Sequence, residues 1–192
     1  MALRKASSYS KWPARPYTRK SAVKSKAYIK TIPPNKLVKL HMGDIHGFES
    51  GKLNYVIHMI SQEQVQMRDN AIESARQYIN KLLDEQLPGQ FYFAVKIYPH
   101  HILRENKMLT GAGADRMQTG MQLSFGATVG RAAMVKKGSE LFLVATLSEK
   151  GSRMARDILQ KIKSKLPCTT SFVFEKKSIV SSSQQAVESS QK

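Results

Sequence analysis

Alternating apolar and polar residues predict that much of the chain forms β-strands. Six runs are predicted to be strands, and in the first and third of them apolar side chains occupy every second position, the pattern of a strand. They lie at residues 36–42, 53–61, 91–98, 127–135, 140–147 and 169–175. In the second run the alternation assigns one face to Tyr55, Ile57 and Met59. The fifth run is expected to turn back on the fourth as a hairpin.

Two other stretches have the spacing of amphipathic helices. The first lies within residues 62–86 and ends at Leu87-Pro88-Gly89, and the second covers about residues 152–165, with Ser148 as its capping residue. Residues 43–52 read as turns. Two helices in a strand-rich chain predict an α+β fold, a two-layer α/β sandwich whose mostly antiparallel sheet carries both helices on one face.

A glycine-rich stretch, residues 100–131, separates two of the predicted strands. Its first part, residues 100–120, is longer than the connections usual inside a compact domain, and such loops are commonly functional. Folded back on itself, a loop of this size could reach roughly 25–30 Å from the body. The rest of the chain is therefore interpreted as a scaffold that holds this loop.

Charge narrows the class of partner. The chain has 31 Lys and Arg against 14 Asp and Glu, a formal net charge of +17. Nucleic acid is the usual partner of so basic a chain, and an anionic membrane is second. There is no apolar run long enough for a membrane span, and the basic N-terminus lacks the apolar core of a secretory signal. The lone Cys168 allows neither an internal disulfide nor a cysteine-clustered zinc site, which favours the cytoplasm.

Residues 1–35 form a basic segment, here called the arm, which contains no Asp or Glu. It is either a disordered basic tail or an arm that becomes ordered only against RNA, and its interleaved aromatic rings favour RNA binding. The arm residues assigned to RNA are Arg4, Lys5, Lys11, Trp12, Arg15, Tyr17, Arg19, Lys20, Lys24 and Lys26. Residues 36–177 are expected to form one globular domain, and the Ser- and Gln-rich residues 178–192 a disordered tail.

Catalytic and cofactor motifs are weak. GAGADR at residues 111–116 begins like a dinucleotide fingerprint, but Arg116 replaces the third glycine and no apolar helix pattern follows. The histidines share no ligand spacing with carboxylates, and Cys168 has the character of a small buried apolar residue. No enzyme activity, metal or cofactor is predicted. The alternatives are a free basic nucleic-acid chaperone and a nucleotide-binding enzyme that uses the glycine-rich loop.

Several segments of the chain resemble one ribosomal family. The most specific is GAGADRMQTGM at residues 111–121, preceded by LRENKML and followed by Phe125-Gly126. This pattern is similar to the signature of the large-subunit protein family called L-sixteen in bacteria and L-ten-e in archaea and eukaryotes, in its archaeal form. The likeness extends to PYTRK in the arm, AIESARQYINK in the first helix and RMARDILQKIKSKLPCTTSFV near the end, and covers about residues 4–177.

The resemblance implies a structural protein of the large ribosomal subunit, with an α/β sandwich fold and a hammerhead-like β element. Such a protein binds large-subunit rRNA near the base of the central protuberance and projects its loop toward the tRNA sites beside the peptidyl-transferase centre. It supports late subunit assembly and tRNA positioning, and it catalyses no reaction.

The implied partners are large-subunit rRNA, the small rRNA of the central protuberance, tRNA and neighbouring ribosomal proteins. No membrane contact and no homo-oligomer are expected. The residues assigned to the tRNA-proximal loop are Arg104, Lys107, Gly111, Gly113 and Arg116. Further rRNA contacts are assigned to Gln118, Arg131 and Lys136.

Overall fold

The computed structural model describes residues 4–18, 23–26, 29, 31–106 and 126–177. Its helices are α1 (Ile45–Glu49), α2 (Asp69–Gln86) and α3 (Glu149–Ile162). Its strands are β1 (His41–Gly43), β2 (Tyr55–Ser61), β3 (Val65–Arg68), β4 (Phe91–Val95), β5 (His101–Glu105), β6 (Ala127–Val135), β7 (Glu140–Thr146) and β8 (Thr170–Lys176). The predicted α+β class is confirmed.

The larger sheet has five antiparallel strands in the order β1-β4-β7-β2-β8. Helices α2 and α3 cover one of its faces, and the main core lies between the two layers. Ile57 and Met59 are fully buried there, on the face that the alternation in β2 predicts. The rings of Phe93 and Phe142 meet in the same core, with centroids 5.8 Å apart.

The opposite face of this sheet is covered near α1, where the sequence predicted only turns. The Asp44 carboxylate accepts a hydrogen bond from the Gly47 amide at 2.8 Å and so caps α1 at its N-terminus. Phe48 of α1 then stacks on Tyr92 of β4, with ring centroids 4.3 Å apart. This contact closes a small second apolar cluster around Val56.

A separate three-stranded sheet has the order β3-β6-β5. The predicted hairpin between residues 127–135 and 140–147 is wrong, because β6 pairs with β3 and β5 while β7 pairs with β2 and β4. The connecting turn sends the chain from one sheet to the other. Gly138 has a φ of +83°, and its amide donates to the Ser61 carbonyl at 2.8 Å.

The predicted strand at residues 36–42 is reduced to β1, since most of that segment lies along α2. The Lys36 and Val38 amides donate to the Asp69 and Glu73 carboxylates at 3.3 and 3.4 Å, which replaces strand pairing. Glu73 is held by Arg76 through bonds of 2.8 and 2.6 Å. The hydrogen bonds from Arg76, together with the arginine's charge, lower the pKa of the Glu73 carboxyl.

The predicted first helix proves to be two elements, because residues 65–68 form β3 before α2 begins. The ends of the helices follow the sequence more closely. Ser148 caps α3 by accepting from the Gly151 amide at 3.1 Å. Beyond α2, Gly89 has the positive φ, +67°, that glycine tolerates best.

Candidate nucleic-acid interface

The small sheet forms the root of the glycine-rich loop. The prediction that residues 100–120 form a loop is wrong for the first residues of that range. Residues 101–105 form β5, which pairs with β6. Ile102 and Leu103 are buried in the strand. The described chain leaves this sheet at Asn106 and returns to it at Gly126. Lys107, Gly111, Gly113, Arg116 and Gln118 lie outside the described residues.

Gly126 allows the two strands to approach closely at the root. A Cβ atom added at this glycine would overlap the backbone of Glu105 and Asn106. The neighbouring register pairs Glu105 with Ala127. The two ends of the loop are therefore held together by main-chain pairing and by the absence of a side chain at Gly126.

The arm lies on this small sheet, contrary to the expectation that it becomes ordered only against RNA. The Gln66 amide of β3 donates to the Ser10 carbonyl at 3.1 Å, and the Ile102 amide of β5 donates to the Tyr17 carbonyl at 3.0 Å. Strands β3 and β5 are the two edges of the sheet, whose outer amides would otherwise lack strand partners. The arm thus crosses from one edge to the other and satisfies both.

An acidic residue of β5 anchors the beginning of the arm. The Glu105 carboxylate accepts from Arg4 Nε at 2.6 Å and from the Tyr9 hydroxyl at 3.2 Å. The guanidinium of Arg68 lies 5.6 Å from the centre of the Tyr9 ring. Burial, followed by the Glu105 charge and its hydrogen bond, raises the pKa of Tyr9, so its phenol remains protonated and can donate.

A second anchor joins Tyr17 to β5. The Tyr17 amide donates to His101 Nδ1 at 2.7 Å, and the Arg104 guanidinium lies over the Tyr17 ring, 4.2 Å from its centre. Burial and the positive charge of Arg104 lower the pKa of His101. The imidazole is therefore neutral near pH 7, the state in which Nδ1 can accept this bond.

The last part of the arm crosses β6. Arg131 Nε donates to the Pro33 carbonyl at 2.8 Å, and Thr128 donates to the Thr31 carbonyl at 3.0 Å. Between the two anchored parts, the Ile29 side chain is buried. Arg131, which the sequence assigned to rRNA, therefore uses at least one donor to hold the arm.

Arg4, which the sequence assigned to rRNA, is held by Glu105, but several other described cations of the arm are exposed. Trp12 and Tyr17 are half-buried. The predicted rRNA-binding residues that are exposed are Lys5, Lys11, Arg15, Lys26 and Lys136. Lys24 lies in a short 3-10 turn, and Arg19 and Lys20 are outside the described residues. The exposed side chains can therefore meet phosphates without undoing the arm's contacts.

Sequence reasoning missed the residues that dock the arm, namely Tyr9, Gln66, Arg68, His101 and Glu105. The sequence did contain a signal for Glu105. This residue is an isolated acid at the end of a strand-like segment, and the basic arm contains no acid that could pair with its cations. It also missed three cations that stand over aromatic rings, namely Arg156 of α3, Lys163 just after α3 and Lys176 of β8.

Other chemistry is weakly supported in the part of the chain that the structure describes. Across those residues, no three or more His, Cys, Asp or Glu side chains are grouped so that they could hold a metal ion. None of the described helices has the length and apolarity to span a bilayer. Cys168 is half-buried against the main core, and burial raises the pKa of its thiol, which disfavours the reactive thiolate.

Comparison with known proteins assigns the family. The family model described as ribosomal protein L16p/L10e matches residues 13–173. A protein of Staphylothermus marinus named large ribosomal subunit protein uL16 is 39% identical over 176 residues, covering 91% of this chain and 95% of the relative. The protein of the same name from Methanococcus maripaludis is 40% identical over 177 residues, covering 92% and 96%. Both relatives are archaeal, and the chain belongs to the ribosomal protein L16p/L10e family, in its archaeal form.

Proposed function

We propose that this protein is a structural, non-catalytic constituent of the large subunit of the cytoplasmic ribosome and that it binds the subunit's rRNA. The family match across residues 13–173 carries this proposal. The net charge of +17 supports it, because a polyanion is needed to offset so much like charge within one small protein.

More specifically, the protein is proposed to bind rRNA near the base of the central protuberance and to aim its loop at the tRNA sites beside the peptidyl-transferase centre. In this position it supports late assembly of the subunit and the positioning of tRNA. The geometry at the loop root favours the proposal: two edges of the small sheet are covered by the arm, and Gly126 brings the loop ends together. A fixed root is what a long loop needs to present its tip in one direction.

Affinity and recognition come from different parts of the molecule. The exposed cations of the arm neutralise phosphates and release counterions, which gives affinity without sequence preference. With about 6–10 phosphate contacts, log K should fall with log salt at a slope of about −5 to −9. The glycine-rich loop allows close backbone approach, so that folded RNA is recognised by shape more than by sequence.

Sedimentation distinguishes this function from its alternatives. The full-length protein, added to large subunits that lack it, should co-sediment with them and remain bound through a wash at high salt. A free nucleic-acid chaperone would be washed off, and a nucleotide-binding enzyme would remain at the top of the gradient. Either result would overturn the ribosomal assignment.

The loop's role is tested separately from incorporation. Lys107→Ala with Arg116→Ala removes two loop cations, and Arg104 is left intact because its guanidinium also lies over the Tyr17 ring. Subunits containing the double variant should assemble normally and bind tRNA more weakly. Normal tRNA affinity would reduce the loop to a spacer, and failed incorporation would make it an rRNA anchor.

A further inference from the structure

Three cations stand over three aromatic rings along the outer edge of the larger sheet. Arg156 Cζ lies 5.6 Å from the centre of the Phe174 ring, and Lys163 Nζ lies 4.6 Å from that of Phe172. Lys176 Nζ lies 5.5 Å from the centre of the Tyr55 ring. We call Arg156, Lys163 and Lys176 with these rings the edge stripe. It is built from α3, the turn that follows α3, β2 and β8, and the sequence analysis assigned none of these residues to RNA.

The register explains why these groups share one face. Phe172, Phe174 and Lys176 alternate along β8 and pair with Met59, Ile57 and Tyr55 of β2. All three therefore point to the side of the sheet that carries α3. Arg156 lies on α3, and Lys163 directly follows the last residue of α3, seven positions further along the chain. The rings that these two cations cover, Phe174 and Phe172, are two residues apart on β8, or about 6.6 Å.

Two of the acids near the stripe are engaged with other side chains. Glu175 pairs with Val56 in the register, which places it on the opposite face, and its carboxylate lies 3.3 Å from His58. Glu149, on the first turn of α3, pairs with Arg153 at 2.7 Å. The three stripe cations are exposed, and Phe174 remains 50% exposed although Arg156 stands over it.

We propose that the edge stripe is a second RNA-binding surface, which takes consecutive phosphates of an rRNA backbone. This inference rests on the proposed function and adds a contact face to it. Each ring attracts its cation and restricts its motion, so less side-chain entropy is lost when a phosphate binds. Because the protein's own cations occupy the ring faces, bases do not stack there, and the contact is electrostatic and independent of sequence.

The salt dependence of binding tests this surface. The full-length protein and its variant R156A/K163A/K176A are bound to large-subunit particles stripped of this protein, over a range of potassium chloride concentrations. Loss of three phosphate contacts should reduce the magnitude of the log K against log salt slope by about 2–3. The matched control K39A/K81A/K96A removes three exposed lysines from other elements and should leave the slope unchanged.

Each alternative gives a different result. Equal slope changes in both triple variants would show an effect of net charge alone and overturn the stripe. An unchanged slope with lost incorporation would indicate a protein partner on the free edge of β8 and would also overturn it. If the unmodified protein fails to bind the particles at all, the proposed function fails before the stripe is tested, so the two failures are distinguishable.

A ring variant separates phosphate binding from base stacking. Phe174→Leu keeps the three cations and an apolar side chain at a half-exposed position. The proposal predicts an unchanged salt slope and an affinity within about threefold of the unmodified protein. A loss of more than about tenfold at constant slope would indicate a base stacked on Phe174 and would contradict phosphate recognition. Amide exchange in β8 checks that each variant is folded.

Discussion

Removal of the Glu105 carboxylate should release the beginning of the arm from the small sheet. Glu105→Ala deletes the acceptor of the 2.6 Å bond from Arg4 and the 3.2 Å bond from Tyr9. Hydrogen bonds to a charged group contribute about 1.5–3 kcal/mol. The side chains are 33% exposed at Arg4 and 13% at Glu105, so solvent screening reduces the net effect to about 1–2 kcal/mol.

Hydrogen exchange measures this loss at two amides of the body. The Gln66 and Ile102 amides donate to arm carbonyls, so their protection reports docking directly. A cost of about 1–2 kcal/mol corresponds to about 5- to 30-fold faster exchange. Glu105→Gln keeps a neutral acceptor and should give about half of the free-energy change.

Two controls limit the interpretation. Glu85→Ala removes an exposed acid of α2 whose distance to Lys81 is 3.9 Å, and it should leave both reporter amides unchanged. The Val144 amide, in the centre of the larger sheet, should exchange at an unchanged rate in Glu105→Ala. Unprotected Gln66 and Ile102 amides in the unmodified protein, or equal protection with and without Glu105, would refute the docked arm.

Three further perturbations have definite expected results. His101 has a lowered pKa, and its Nδ1 accepts the hydrogen bond from Tyr17 only when the imidazole is neutral. Its contribution to arm docking is therefore complete above the ordinary histidine pKa of about 6.5 and is lost as the pH falls below that value. The fluorescence of the single tryptophan, which lies in the arm, should follow this change, and His101→Gln should flatten the pH dependence. Arg76→Leu leaves the Glu73 carboxylate buried without its partner and should lower the free energy of unfolding in denaturant by about 3 kcal/mol. Adding Glu73→Leu should recover most of that loss. Equal stability of the single and double variants would contradict the pairing. Gly126→Ala should separate β5 from β6 at the loop root and speed amide exchange in β5. Gly130→Ala should leave this exchange unchanged, because a Cβ added there meets open space. Similar exchange in both variants would show that the root is not tightly closed.

The sequence predicted most of the larger sheet because its patterns are local. The alternation through Ile57 and Met59 identified β2 and its buried face, and Ser148 marked the start of α3. The short helix α1 was missed because it depends on one capping contact, that of Asp44 with Gly47. The alternation in β2 and the cap at Ser148 are both local signals, and neither carries information about distant parts of the chain.

The partner of each strand could not be read in the same way. Residues 127–135 and 140–147 are consecutive strands in the sequence and are joined by a short turn. A β-hairpin has the same sequence pattern. Only the competition among all strands for partners assigns β6 to the small sheet and β7 to the larger one. The same holds for the docked arm, whose carbonyls at Ser10 and Tyr17 bind strands far away in the chain.

Composition and motif gave the class of partner but not the way the interface is built. The acid-free arm and the glycine-rich stretch pointed to RNA without showing that Arg104 and Arg131 also hold the protein's own arm. The exposed cations Lys5, Lys11 and Arg15 remain the clearest candidates for phosphate contacts. Their separation from the docking residues is a property of the fold and has no signature in local sequence.

Site-specific cross-linking measures whether the scaffold aims the loop at tRNA. A photo-reactive amino acid is placed at position 113 in the loop, and in a control protein at position 96, an exposed site just beyond β4. Both proteins are incorporated into large subunits, joined to small subunits and irradiated with tRNA in the peptidyl site. We expect a cross-link to tRNA from position 113 and none from position 96. Cross-links from position 113 to rRNA alone, with tRNA bound, would contradict it.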